Sequence, residues 1–178
     1  MAFTLTRVAR RRPSETISIV THWMGIADAN TAGNVHGGVI MRLCDEAAGI
    51  AAIRHASTRV VTAGMDRMTF LEPVVVGELV VFRAMVNAAW RSSMEVGVRV
   101  EAENVRSRSV RHVSGAYLTM VALDDDGKPT SVPALDPETD SERRRQREAQ
   151  VRRDNRLAER RSIVEARAAN ASTGDGRG

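Results

Sequence analysis

The sequence predicts an α+β domain in which a curved antiparallel sheet wraps one long helix. Three observations point there. About twenty residues from Gly37 onward are apolar nearly all round, the pattern of a helix buried on every side rather than laid on a surface. One strand-like segment precedes that helix and four follow it, separated by turn residues. With only three Phe, two Trp and one Tyr in a 43% hydrophobic composition, the core must rest on Val, Ile, Leu, Met and Ala.

Residues 1–13 are basic and patternless, ending in Arg10-Arg-Arg-Pro13, and are expected to be disordered. They hold no apolar leader, and no run in the chain approaches membrane-spanning length, so a cytoplasmic location and no membrane partner are expected. The domain proper spans 14–126. Ser14 to Val20 alternates polar and apolar as a first strand. The polar, glycine-rich loop Asp28-Ala-Asn-Thr-Ala-Gly-Asn34-Val-His36-Gly37-Gly38 then opens the helix, which runs to about His55. Arg59 to Leu71 is β-branched at its start and stops at Glu72-Pro73, and Leu79 to Ala89 follows the turn at Gly77. Met94 to Glu103 alternates, with Met94, Val96, Val98, Val100 and Ala102 facing one way and Glu95, Arg99, Glu101 and Glu103 the other. Val110 to Leu123 completes the sheet. Asp124-Asp-Asp-Gly127-Lys-Pro129 is a turn and not a calcium loop, because Leu135 falls where the bidentate glutamate belongs.

Residues 127–140 form a proline-containing linker, and 141–178 an Arg-rich tail. Ser141 to Arg167 is expected to be a solvated helix supported by Glu/Arg pairs and docked weakly if at all, and the last nine residues are disordered by composition. Charge divides the same way. Residues 1–140 hold 15 Lys and Arg against 16 Asp and Glu, while the tail holds 11 Arg against six acids. The globular part therefore has no overall basic field, which argues against nucleic acid as its partner. Cys44, the single cysteine, excludes an intrachain disulfide and reads as a small buried hydrophobe.

On the helix, Ile40, Leu43, Ala47, Ile50 and Ala51 make an apolar stripe. Gly38, Met41, Asp45, Ala48, Gly49, Ala52 and Ala56 lie opposite, and Arg42 and Glu46 form the polar strip. Burying a lone carboxylate costs several kcal/mol. Asp45 must therefore be hydrogen-bonded, carry a raised pKa, or face a water-filled site; the first is structural and the other two functional. Gly37 and Gly38, at the helix N-terminus, offer backbone N–H groups to a polarised oxygen, and Asn34 supplies an uncharged amide. A tight turn and a loop hydrogen bond explain the same residues without chemistry. If the helix starts near Gly37, Asp45 lies roughly 12 Å down it. Asn34 lies beyond its start, so the amide and the acid meet more easily across two antiparallel copies of the helix than within one chain.

Asn34-Val-His-Gly-Gly, Asp45-Glu-Ala-Ala-Gly-Ile-Ala-Ala, Arg54-His55, Val60-Val-Thr-Ala-Gly-Met-Asp66, Phe70, Pro73 and Gly77-Glu78 occur in an order and at separations that resemble the hotdog-fold acyl-CoA thioesterases, above all the cytosolic long-chain acyl-CoA hydrolases. The resemblance covers about residues 14–140. It implies a hotdog dimer, often assembled as a hexamer, that hydrolyses medium- to long-chain acyl-CoA to free acid and CoA, with CoA as part of the substrate and no cofactor. It also implies catalytic roles for Asn34 and Asp45, contributed by different repeats in tandem-domain relatives. Asp45 would activate water or attack directly, Asn34 would position water or thioester, and the N–H groups near Gly37 and Gly38 would hold the oxyanion. Arg91-Ser92-Ser93 resembles a family position for nucleotide contact. Thr62, Ala63, Gly64 and Met65 border the acyl tunnel, and His36 joins the substrate-binding set, although a loop hydrogen bond accounts for it too. A helix C-terminal charge accounts for His55. No His/Cys spacing indicates a metal. Two alternatives stay open: a hotdog enoyl-CoA hydratase or dehydratase using His36 and Glu46, and a non-catalytic acyl-CoA-binding or nucleic-acid-tethered module using the Arg tail.

Overall fold

The computed structural model describes residues 10–174, with side chains to 168. In chain order the elements are β1 (Arg10–Arg11), β2 (Ser18–Trp23), α1 (Gly37–Ala56), β3 (Arg59–Phe70), β4 (Leu79–Ala89), β5 (Ser93–Asn104), β6 (Ser109–Leu123), β7 (Ala134–Leu135) and α2 (Asp140–Gly174). β2 to β6 form one antiparallel sheet in the order β2-β4-β5-β6-β3, while β1 and β7 pair separately and in parallel. The α+β architecture expected from the sequence is the one observed.

Alternation along the strands decides which face meets α1. Val80, Phe82, Ala84 and Val86 of β4, Met94, Val96, Val98 and Val100 of β5, and Ala116, Leu118, Met120 and Ala122 of β6 are buried on the inner face. Against them α1 sets Ile40, Leu43, Cys44, Ala47, Ala48, Ala51 and Ala52, whose small side chains let the helix axis come close. Ile50, expected within the buried stripe, is 41% exposed beside Ile53 and Met41. The helix is therefore buried on the sheet side and apolar but open on the other. His36 caps its start, and Ser57, in the left-handed conformation at φ 55°, closes it by donating its N–H to the Ile53 carbonyl.

Several expectations at the margins are corrected. Arg10–Pro13 is ordered, because β1 pairs with β7 and the Arg11 guanidinium donates to the Arg54 carbonyl and, at 2.7 Å, to Ser57 Oγ; residues 1–9 lie outside the described residues. The predicted first strand starts late. Pro13–Thr16 is a 3-10 turn in which Thr16 Oγ1 donates to the Pro13 carbonyl and accepts the Val86 N–H. Residues 127–140 are not a free linker: Thr130 N–H donates to the Ala122 carbonyl and Val132 N–H to the Arg91 carbonyl. The tail is helical through Gly174, so part of the segment expected to be disordered is not, and the last four residues lie outside the described ones. Nor is its docking weak. Thr139 and Glu142 form a capping box at its start, and Ala149 and Glu95 are fully buried where α2 crosses the outer face of the sheet.

Candidate active site

The loop before α1 is built by its own side chains. Asp28 Oδ2 accepts the Gly25 N–H at 2.8 Å and lies 3.1 Å from His22 Nε2, and these bonds, the backbone one first, lower its pKa. Asn30 Oδ1 accepts the N–H groups of Ala32 and Asn34, and the Asn34 carbonyl accepts the Asn30 N–H. Asn34 also bridges to Val75, and Val35 N–H donates to the Val74 carbonyl. The loop is thereby fastened to residues 73–75.

A part-buried ion pair holds that second segment in turn. Glu78, 4% exposed, takes a fork from Arg111 at 2.5 and 2.9 Å and also accepts the Val75 N–H. Arg111 further donates to the Pro73 carbonyl and pairs with Glu72. The guanidinium holds the Glu78 carboxyl below its usual range. Sequence reasoning singled out Gly77-Glu78 only within the resemblance and missed Arg111 altogether, since a long-range pair between a turn and a strand leaves no spacing to find.

Between these segments lies a cleft of about 370 Å³, lined by Asn30, Asn34, Gly37, Ile40, Phe70 and Ser114 among others. Gly37 faces the Phe70 ring, where a Cβ would make ordinary contact at 3.4 Å, and its N–H, in the first helical turn, meets no acceptor among the described residues. Gly38 differs: its N–H donates to His36 Nδ1 at 2.9 Å. The expectation of two free N–H groups is corrected to one, and His36 acts as a helix cap, not as a group aimed at substrate.

Asp45 is not in this cleft. It sits one side of α1 over, half-buried, where the Thr62 hydroxyl donates to its Oδ1 at 2.5 Å. Thr62 belongs to β3, which bulges between Thr62 and Gly64 and again between Met65 and Met68, turning its exposed side chains away from a regular ladder. Ala63 is exposed, and Met65 packs against the core. Within one chain Asn34 lines the cleft and Asp45 does not. Beside Asp45, the Cys44 thiol is buried and pushed up to about 12, first by that burial and then by the carboxylate, so it is no nucleophile. His55 is fully buried rather than a charge at a helix end. Its Nε2 bonds the Pro133 carbonyl at 2.8 Å, and burial lowers its pKa.

Arg91, Ser92 and Ser93 lie apart from both, at the turn joining β4 to β5, with Arg91 exposed. The described residues contain no cluster of His, Cys, Asp and Glu able to hold a metal, and no helix long and apolar enough to cross a membrane.

Comparison with known proteins agrees with this architecture. The model of the Thioesterase superfamily matches residues 32–108. The cytosolic acyl coenzyme A thioester hydrolase of Rattus norvegicus is 38% identical over 137 residues, 76% of this chain but 36% of that protein, so the chain spans about a third of the length of that relative. The acyl-CoA hydrolase of Staphylococcus aureus, solved with butyryl coenzyme A, coenzyme A and coenzyme A disulfide, superimposes with a TM-score of 0.82 at 35% identity, covering 91% of this chain and 99% of that one. A hexameric acyl-CoA thioesterase gives a TM-score of 0.83 at 33% identity, covering 85% and 97%.

Proposed function

The chain belongs to the thioesterase superfamily and has its hotdog fold, and from that premise we propose that it hydrolyses acyl-CoA to free acid and CoA at a site shared between two copies of the chain. The observation that carries this is the Thr62–Asp45 hydrogen bond, which fixes one oxygen of a half-buried carboxylate and leaves the other for water. Structures of the S. aureus acyl-CoA hydrolase include variants with an asparagine, an aspartate and a threonine replaced by alanine, the asparagine 15 residues before the aspartate and the threonine 17 after it. Asp45 and Thr62 stand 17 apart here.

The amide is where the same spacing departs from the sequence expectation. Asn34 precedes Asp45 by 11 residues, whereas Asn30 precedes it by 15, which favours Asn30. Both asparagines line one cleft. In either case the amide orients the attacking water or the thioester. Asp45 takes the proton of that water as it adds to the thioester carbon, and the Gly37 N–H supports the oxyanion. Collapse breaks the C–S bond, and the proton returns from Asp45 to the departing CoA thiolate. No cofactor enters this sequence.

A second copy supplies the missing half. The outer edge of β3 is unpaired among the described residues, and Val61, Ile50, Ile53 and Met41 are exposed beside it, an edge that calls for a partner. Antiparallel apposition of two such faces brings the loop of one copy toward Asp45 of the other. The hexameric relatives support a hexamer built from such dimers. A cytosolic setting rests on the name of the rat relative, and medium- to long-chain substrates rest on the sequence resemblance alone. The hydratase alternative loses support, since His36 Nδ1 is committed to the helix cap and Glu46 is tied to Arg42 at 2.5 Å.

The test is thiol release from acyl-CoAs of graded length by the native chain and by Asp45→Ala, Asn30→Ala, Asn34→Ala and Thr62→Ala. Loss of turnover in Asp45→Ala and in one asparagine variant, with assembly intact, is expected. Full activity in Asp45→Ala refutes the reading.

A further inference from the structure

α2 is longer than the sheet it covers is wide. Gln150 accepts the Trp90 indole N–H at the end of β4. Arg152 meets Glu95 of β5 and Tyr117 of β6, and Arg156 pairs with Asp66 of β3, the last strand of the sheet. The helix thus passes the strands one after another and reaches the edge at Arg156. Residues 157–168 run on for about 18 Å, close to four strand widths, and every side chain among them is exposed.

One flank of α2 is apolar where it leaves the sheet. Asp154, Leu157, Arg161 and Val164 line a shallow groove of about 520 Å³, with Leu157 43% and Val164 58% exposed. The helical repeat puts Arg153 on that flank too, and its Nη1 donates to Ser93 Oγ at 3.3 Å. The flank therefore faces the β4–β5 turn. Ser93, Val121 and Val61 are cross-strand neighbours, one row over from Glu95, Thr119 and Gly64 beneath α2. At the sheet edge, then, the Leu157 flank overlooks Val61. β3 is regular from Arg59 to Thr62, ahead of its two bulges, so a second β3 can join it on this side of α2.

We infer that α2 packs antiparallel against α2 of a second copy, across the seam where the two β3 edges meet. The inference rests on the shared-site reading, which supplies that seam. Because Arg156 stands over the edge strand, the two-fold axis passes close to Leu157, and the two copies of Leu157 meet there. Asp154 lies three residues before Leu157 and Arg161 four after it. Antiparallel alignment sets each of these acids opposite the other copy's arginine, the self-complementary pattern that an isologous contact requires. Within its own chain Asp154 accepts from the Gln150 amide, which leaves its charge to be met from outside.

Disulfide trapping tests the contact, because native Cys44 is buried and stays silent. On mild oxidation Leu157→Cys is expected to form a covalent dimer at a rate independent of protein concentration. Asn155→Cys, on the opposite flank, is expected to form none. Adding Arg161→Asp to Leu157→Cys slows trapping about fivefold, and adding Asp154→Arg as well restores the rate. A swap that restores nothing overturns the antiparallel pairing. So does trapping that rises with concentration or is equal in Asn155→Cys, either of which marks chance collision. No covalent dimer from a chain that sediments as an oligomer overturns the contact and leaves the shared site standing, whereas a chain that sediments as a monomer overturns both. Trapping as expected in a chain that hydrolyses no acyl-CoA upholds the contact and overturns the thioesterase reading instead.

Discussion

α1 and α2 lie on opposite faces of one sheet and are held there by opposite means. α1 meets the inner face through Ala47, Ala48, Ala51 and Ala52, with Asp45 accepting from the Thr62 hydroxyl and His55 bonded to the Pro133 carbonyl. α2 meets the outer face through Arg152, which forks onto the fully buried Glu95 at 2.7 and 3.0 Å and stacks 3.7 Å over Tyr117. Asn87 Nδ2 adds a third bond to Glu95, and it fits only because position 97 is glycine, where a Cβ would come within 2.6 Å of that amide. The difference teaches that the inner face is held by shape and area, which are non-directional. At the outer face a buried carboxylate needs a correctly placed cation.

The comparison breaks most visibly on the inner side. Phe82→Ala, under α1, is expected to cost about 3–5 kcal/mol in denaturant unfolding, as a large void in a packed core does. Arg152→Ala is expected to cost about 3 kcal/mol, the low end for stranding a buried charge because Arg152 itself is partly exposed. Adding Glu95→Gln should recover much of that loss; if it recovers none, apolar packing rather than charge holds α2.

Acid acts on two buried groups in turn. The pKa of His55 is lowered in the fold, so the folded chain binds fewer protons there than the unfolded one. Its contribution is present above the ordinary value of 6.5 and is lost as pH falls through the lower folded value. The Glu78 carboxyl, also lowered, loses its contribution only as pH drops below its ordinary 4.5. Melting temperature should therefore decline in two stages, and His55→Gln should remove the first; a single stage in both proteins contradicts the buried, neutral imidazole. The smallest effect belongs to the exposed Arg144–Glu148 pair, where Arg144→Ala should change stability by less than about 0.5 kcal/mol.

What the sequence disclosed follows the same division. Period-two alternation from Met94 to Glu103 located β5 and its inner face, and the all-round apolar pattern located α1. Asp45 stood out because a carboxylate among Ala48, Gly49 and Ala52 needs an explanation. What stayed hidden depends on residues distant in sequence. Glu95 alternates like a solvated residue, yet α2 buries it from 57 positions away. Arg111 reaches Glu78 across 33. Local periodicity cannot register such pairs, and it gives no grounds to choose between Asn30 and Asn34 four residues apart in one loop. The tail misled for a related reason. Composition shows that α2 is charged, but only the fold shows which charges already have partners.

The shared site is tested most directly by mixing two dead proteins. Asp45→Ala is unfolded and refolded together with Asn30→Ala, and in parallel with Asn34→Ala, and thiol release is measured against each variant refolded alone. If the amide and the acid of each site come from different copies, random pairing gives half mixed dimers with one intact site each, and about a quarter of native activity returns with the asparagine variant that is itself inactive. A mixture that assembles normally and stays as inactive as its components contradicts a site built from two chains.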